Sequence, residues 1–220
     1  MHRIQYRFGP VLLLIILAIS FTLAAPSGDA GRLVAVILQA SVLVAAVVAS
    51  RAHPWVIRLS VVAAIVGVAG VAAALFGSGK FGTASAEVVA LLYLVVTPPA
   101  LVTGLRKQFE AAGAVTLETA FGVLCLYLLI GLIFGAAYGV VDVLNHSDIF
   151  NVPNAGRDDY LYFSYTTLTT VGYGDVVART DLGRSLAITE ALIGQLYLVT
   201  VVALIISNVR PRRERSPSAD

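Results

Sequence analysis

The sequence predicts an all-α integral membrane protein, with six transmembrane helices and one short re-entrant helix between the fifth and the sixth. Three observations predict it. Of 220 residues, 58% are hydrophobic and only 13% are charged, with a mean hydropathy of +0.88. Soluble domains carry about a quarter charged residues, so this chain is built for lipid. Six apolar runs are long enough to cross a hydrocarbon core of about 30 Å at about 1.5 Å per helical residue. Between the last two lies "YLYFSYTTLTT", which is apolar and aromatic but too short to span, followed by "VGYGD".

The runs are Phe8 to Ala25, Leu33 to Ser50, Trp55 to Phe76, Val88 to Leu105, Thr119 to Val141 and Ser185 to Val209. The first, with Arg3 and Arg7 ahead of it and "TLAAPS" behind, is read as a span, and its pattern is also that of a cleaved signal peptide. The fourth contains Pro98-Pro99. Each ring removes a backbone donor, so a kink or break is expected there. Neighbouring helices are then needed to cover the freed carbonyls. Cys125 sits alone in an apolar run and is expected to be a buried thiol.

Loop charges set the orientation. With the N-terminus cytoplasmic, the inner side holds ten basic residues: Arg3, Arg7, Arg51, Arg58, Arg106, Lys107, Arg210, Arg212, Arg213 and Arg215. The outer side then holds five: Arg32, Lys80, Arg157, Arg179 and Arg184. Both termini are therefore expected in the cytoplasm, and residues 142–184 on the outer side. The net charge of +2 carries no signal for nucleic acid. The tail "RPRRER" is either an attraction to anionic lipid head groups or a plain positive-inside anchor.

In the segment 142–184, "DVLNHSDIFNVPNAGRDD" reads as an exposed loop, and its Asn145-His146-Ser147 match to a glycosylation acceptor carries no weight. Asp158 and Asp159 suit the N-terminus of a short helix running from about Asp159 to Thr169. Backbone that then returns through the membrane without helix must be buried in protein or line a watery cavity.

The returning stretch, Thr170-Val171-Gly172-Tyr173-Gly174-Asp175, resembles the selectivity filter of potassium channels. The resemblance covers residues from about 119 to 209: outer helix, loop, pore helix, filter, inner helix. It implies passive K+ conduction across the plasma membrane by a homotetramer, with no cofactor beyond the permeant ion and no enzymatic activity. Carbonyls of Thr170, Val171, Gly172 and Tyr173, with the Thr170 hydroxyl, would bind K+. Gly172 and Gly174 reach left-handed dihedrals without a Cβ penalty, which lets successive carbonyls face one axis. Thr166, Thr167, Tyr162 and Phe163 would support the filter, with Tyr165 packed nearby. The resemblance makes Asp175 a clamp behind the filter; the alternative is a solvated vestibule charge. Asp142, Asp148, Asp158, Asp159 and Asp181 would add to a negative outer funnel. The chain departs from the well-known bacterial pattern at Thr166, where a glutamate is frequent, at Tyr162-Phe163, where a tryptophan pair stands, and after Asp175, where no proline follows.

One chain supplies one strip of carbonyls, and no second filter is present in the sequence, so four copies are expected around the axis. The resemblance places Gly194 at the family's glycine hinge; bending and close helix packing are equal alternatives for it. Glu190 is an intramembrane carboxylate and hence a functional candidate. It is expected either to be a buried hydrogen-bond partner of the pore helix, through Thr166 or Thr167 and in protonated form, or to face the ions. Val202, Ile205 and Ile206 are candidates for a hydrophobic constriction. The fourth run, "VVALLYLVVTPPALVTGL", lacks the repeated basic residues of a voltage sensor, so no steep voltage dependence is expected. The expected organisation is a four-helix membrane region over 1–107, a pore module over 108–209 and a basic tail over 210–220.

Overall fold

The computed structural model describes residues 7–24, 28–77, 79–112, 115–145 and 148–207. Seven helices follow in order: α1 Gly9–Ala24, α2 Asp29–Ala49, α3 Pro54–Gly77, α4 Gly79–Ala112, α5 Leu117–Asn145, α6 Arg157–Leu168 and α7 Asp181–Ser207. Among the described residues the only β pairing recorded is an isolated bridge between Phe150 and Ala178. Among the described residues, four stretches are long and apolar enough to cross a membrane: Asp29–Ala49, Pro54–Ala74, Val88–Glu110 and Leu117–Leu144. The helix α1 is apolar but shorter, at 16 residues.

Local chemistry explains where several helices begin. Pro54 opens α3, where a missing N–H costs nothing. The Thr116 hydroxyl accepts the Thr119 N–H at 3.2 Å ahead of α5. The Thr180 hydroxyl accepts the Gly183 N–H at 3.1 Å and caps α7. For α6 the cap residue is Gly156, which has no side chain to offer. There Asp159 reaches back and its carboxylate accepts the Gly156 N–H at 2.8 Å, while Asp158 and Asp159 face the positive helix end.

The expected break at Pro98-Pro99 is absent: α4 runs through both prolines as one 34-residue helix. The Thr97 hydroxyl donates to the Tyr93 carbonyl at 2.7 Å and the Thr103 hydroxyl to the Pro99 carbonyl at 2.7 Å. Helix α4 extends five residues past Lys107, to Ala112.

The largest apolar cluster joins five helices: Phe8, Val11 and Ile15 at α1, Val42 and Ala46 of α2, Leu94 and Leu101 of α4, Cys125, Leu129 and Leu132 of α5, and Leu161 of α6. A second cluster ties α2, α3 and α4 through Val36, Leu43, Val71 and Tyr93. A third, largely aromatic, packs Tyr138, Phe150, Tyr160 and Phe163 between α5, the loop before α6, and α6. The four-helix group thus packs on α5 through α1 and α4, and on the short helix through α1. Helix α7 is placed differently. Among the described helices it packs on α5 and α6 alone, with Leu186 and Ala187 also meeting the Ile149–Phe150 loop. Its Ile188, Leu192, Leu196 and Val199 are 62, 58, 66 and 67% exposed.

Candidate ion-conducting site

The site begins where α6 ends. Leu168 is fully buried at its last turn, and Thr169 caps it. The Thr166 carbonyl then accepts two N–H groups, from Val171 at 2.9 Å and from Gly172 at 3.1 Å, while the Thr167 carbonyl accepts Thr170 N–H at 3.0 Å. These bonds turn the chain out of the helix. Three residues of the returning strand adopt positive φ: Thr170 at 60°, Gly172 at 54° and Gly174 at 81°. The two glycines are the expected ones. Thr170 is the addition: a β-branched residue held where L side chains are strained. Left-handed dihedrals at every second residue rotate successive carbonyls away from the alternation of an ordinary strand.

The strand is exposed from Thr170 to Asp175, with Val171 at 52% and Tyr173 at 72%. The Tyr173 ring stacks on Tyr162 of α6, with centroids 6.3 Å apart and planes 6° apart. The Tyr162 hydroxyl donates to Asp175 Oδ2 at 2.8 Å. That bond holds the Asp175 carboxyl below its ordinary value of 3.8, with the Val176 N–H assisting at 3.0 Å. Asn151, a loop residue that carried no sequence signal, closes the outer side. Its amide donates to the Asp175 carbonyl at 2.9 Å, and its Oδ1 accepts the Val177 N–H at 2.8 Å.

Two expectations for the aromatic residues are corrected. Phe163 does not reach the strand; it is buried among Phe150 (4.6 Å between centroids) and Tyr138 (5.3 Å). Tyr165 points to α5, where its hydroxyl donates to the Leu128 carbonyl at 2.7 Å. At 3.6 residues per turn positions 162, 163 and 165 point in three different directions, and of the three it is Tyr162 that stacks on the strand. The acidic residues of the outer loop are also partly committed. Asp142 accepts the Ile149 N–H at 3.1 Å and the Tyr160 hydroxyl at 2.7 Å, and Asp159 caps α6.

Glu190 is fully buried, yet its partners are not Thr166 or Thr167. Its Oε2 accepts the Tyr138 hydroxyl at 2.8 Å and its Oε1 meets Ser164 Oγ. The Thr166 hydroxyl instead donates back to the Phe163 carbonyl at 3.0 Å. Four residues on, Gly194 lies against the end of α6: an added Cβ would come within 2.6 Å of Leu168 Cδ1 and 3.2 Å of its carbonyl oxygen. Close packing, one of the two alternatives for Gly194, therefore has a direct structural basis. The side chains of Val202, Ile205 and Ile206 lie outside the described residues. So do the Asn145 side chain, His146-Ser147 and the basic tail.

The family model described as "Ion channel" matches residues 122–210. Protein LctB of Bacillus caldotenax is 32% identical over 102 residues, which cover 43% of this chain and 75% of that protein. The chain belongs to the potassium channel family. It shares 38% identity over 86 residues with two pore potassium channel a of Oryza sativa subsp. japonica, covering 39% of this chain and 22% of that one. Over 50 residues it is 44% identical to potassium channel subfamily K member 4 of Mus musculus, covering 23% of this chain and 11% of that one. The chain thus spans under a quarter of the rice and mouse channels. No solved structure gives a significant match. The potassium channel family comprises ion channels, not enzymes, and this member is a multi-pass membrane protein.

Proposed function

We propose that four copies of the chain conduct K+ passively through a pore on their shared axis. The observation that carries this reading is the strand Thr170–Gly174. It is exposed in the single chain, with left-handed dihedrals at Thr170, Gly172 and Gly174. The carbonyls of Thr170, Val171, Gly172 and Tyr173 and the Thr170 hydroxyl replace the water that K+ sheds on entry. One strand offers one side of such a cage, and fourfold repetition completes it. The apolar face of α7, without a helix partner among the described residues, supports the same assembly, because neighbouring subunits would cover it. The Tyr162–Tyr173 stack and the Tyr162–Asp175 bond support the strand from behind, with Thr166 and Thr167 closing the turn.

In this reading α1, α2, α3, α4, α5 and α7 cross the plasma membrane, α6 is the re-entrant pore helix, and both termini are cytoplasmic. The pore module occupies 108–209, the four-helix region 1–107 and the basic tail 210–220. No charged sensor lies in α4, so opening is not steeply voltage-dependent. No cofactor is required. Purified protein in liposomes loaded with K+ should take up rubidium, with Na+ excluded and Ba2+ blocking. Native mass determination should give four chains. Equal Na+ and Rb+ uptake, or another stoichiometry, would overturn the reading.

A further inference from the structure

Glu190 is used by nothing in the conduction pathway described above, yet it is fully buried with two hydroxyl partners and, among the described residues, no cation paired with it. Hydrogen-bond donors around it can be counted. The Tyr138 hydroxyl has one hydrogen, donated to Glu190 Oε2 at 2.8 Å. Ser164 Oγ also has one hydrogen and touches two oxygens, Glu190 Oε1 and the Gly131 carbonyl of α5, the latter at 2.7 Å. A carbonyl oxygen only accepts. At 2.7 Å an oxygen pair without a hydrogen between them would set lone pair against lone pair, so the serine hydrogen belongs to Gly131. Ser164 Oγ then faces Glu190 Oε1 as an acceptor, and the hydrogen between them must come from Glu190. A neutral acid also avoids placing an unpaired charge at membrane depth.

We propose that Glu190 is a protonated carboxylic acid that donates to Ser164, completing a one-way chain of hydrogen bonds from Tyr138 through Glu190 and Ser164 to the Gly131 carbonyl. The chain ties α7 to α6 and both to α5. Glu190 is thereby a positioning residue for the filter, since Ser164 lies six residues ahead of Thr170 on the helix that aims the strand. Gly194, one turn below on the same face of α7, lets Leu168 approach and completes the seat. The position of the proton stands on donor counting alone; its consequence for the filter rests on the proposed K+ conduction.

Two readouts test the proposal separately. Infrared spectra of the purified protein in lipid at neutral pH are expected to contain a carboxylic-acid C=O band that shifts in D2O and is missing from Glu190→Gln. Wild-type and Glu190→Gln spectra identical in that region would overturn the protonated state, whether or not the protein conducts. For positioning, Glu190→Leu and Ser164→Ala should each lower the Rb+ over Na+ uptake ratio by about tenfold or more, the effect of orphaning buried hydrogen-bonding groups. Glu190→Gln should rescue most of that loss, because its amide N–H donates to Ser164 as the acid does. Loss of selectivity in Glu190→Gln as severe as in Glu190→Leu would overturn the positioning role. Intact Tyr138→Phe protein, checked by tetramer mass, should keep the acid band but shift its frequency as one acceptor bond is lost; an unmoved band would also count against the chain.

Discussion

Hydroxyl groups do different work in the two halves of the molecule. In α1 to α4 they mostly bond their own helix: Thr22 to the Ala18 carbonyl, Ser41 to Ile37, Ser50 to Val47, Thr97 to Tyr93 and Thr103 to Pro99. Tyr93, donating to Ala63 and Ala64 of α3, is an exception. From α5 onward Thr166, Ser185, Thr189 and Ser207 also bond their own helix, but the tyrosine hydroxyls cross between elements. Tyr127 donates to the Leu168 carbonyl at 3.1 Å, Tyr165 to Leu128, Tyr197 to Val123 at 2.6 Å, Tyr138 to Glu190, and Tyr162 to Asp175. Apolar contact alone holds a helix in place while tolerating sliding and rotation, whereas crossing hydrogen bonds fix depth and rotation together. A strand whose carbonyls must face one axis needs the second kind of support.

The sharpest way to break that contrast is at the strand itself. Gly174→Ala places a Cβ at a φ of 81°. The left-handed region costs an L residue about 1–2 kcal/mol, and the cost is met four times in a tetramer. Rb+ uptake is expected to fall to background in Gly174→Ala, while Gly28→Ala, at a cap with extended φ and open space around it, leaves uptake unchanged. Surviving selective uptake in Gly174→Ala would mean that the strand is not under the conformational demand assigned to it.

Gly194→Ala is the next largest. Alanine gains about 1 kcal/mol of helix propensity. Against it stand a 2.6 Å approach to Leu168 Cδ1 and a 3.2 Å approach to the Leu168 carbonyl, and overpacking of this kind costs about 1–3 kcal/mol. Net destabilisation is expected, measured as a lower thermal midpoint for tetramer dissociation. Adding Leu168→Ala should restore part of it by clearing the nearer contact. If Gly194→Ala instead leaves stability untouched and alters only the opening rate, the hinge alternative is the right one.

These two positions also mark what the sequence could tell. The strand was legible because Thr170 to Asp175 is a contiguous word whose glycines have one physical use. The depth of Glu190 was legible from its apolar flanks. Its partners were not, since Ser164 and Tyr138 stand 26 and 52 residues away and their meeting depends on how three helices are rotated. The same holds for Phe163 and Tyr165, which the strand-centred reading misassigned. Asn151 lay in a loop with no pattern at all, although it bridges Asp175 and Val177. The docking of α1 to α4 was hidden for another reason. Helices α1, α3 and α4 have almost no amphipathic character, so in a lipid solvent they carry no stripe that says which face meets protein.

A smaller effect comes from acid. Tyr162 holds the Asp175 carboxyl below its ordinary value of 3.8. A carboxyl depressed on folding contributes its stabilisation above the unfolded value, and that contribution is lost as pH falls through the folded value. Nuclear magnetic resonance titration of the Asp175 carboxyl should therefore give a midpoint below 3.8 in the wild type and a higher one in Tyr162→Phe. Identical midpoints would leave Asp175 as a solvated charge at the outer mouth rather than a partner of the pore helix.

The smallest expected effect compares two serines. Ser41 and Ser164 both sit in helices of the membrane region, and each donates to a helical carbonyl. Ser41 donates at 2.8 Å to Ile37 on its own helix, a bond that adds nothing to how α2 meets its neighbours. Removing it should change stability by no more than about 0.5 kcal/mol, the usual range away from special features. Ser164 donates across to Gly131 while meeting Glu190. Its removal orphans a buried acid, at a cost of about 1–3 kcal/mol. Thermal unfolding of Ser41→Ala and Ser164→Ala in the same lipid should therefore separate the two, although the change in side-chain volume is identical. Equal shifts would mean that the crossing bond does no more than the local one, and the difference between the two halves of the molecule would then lie in packing alone.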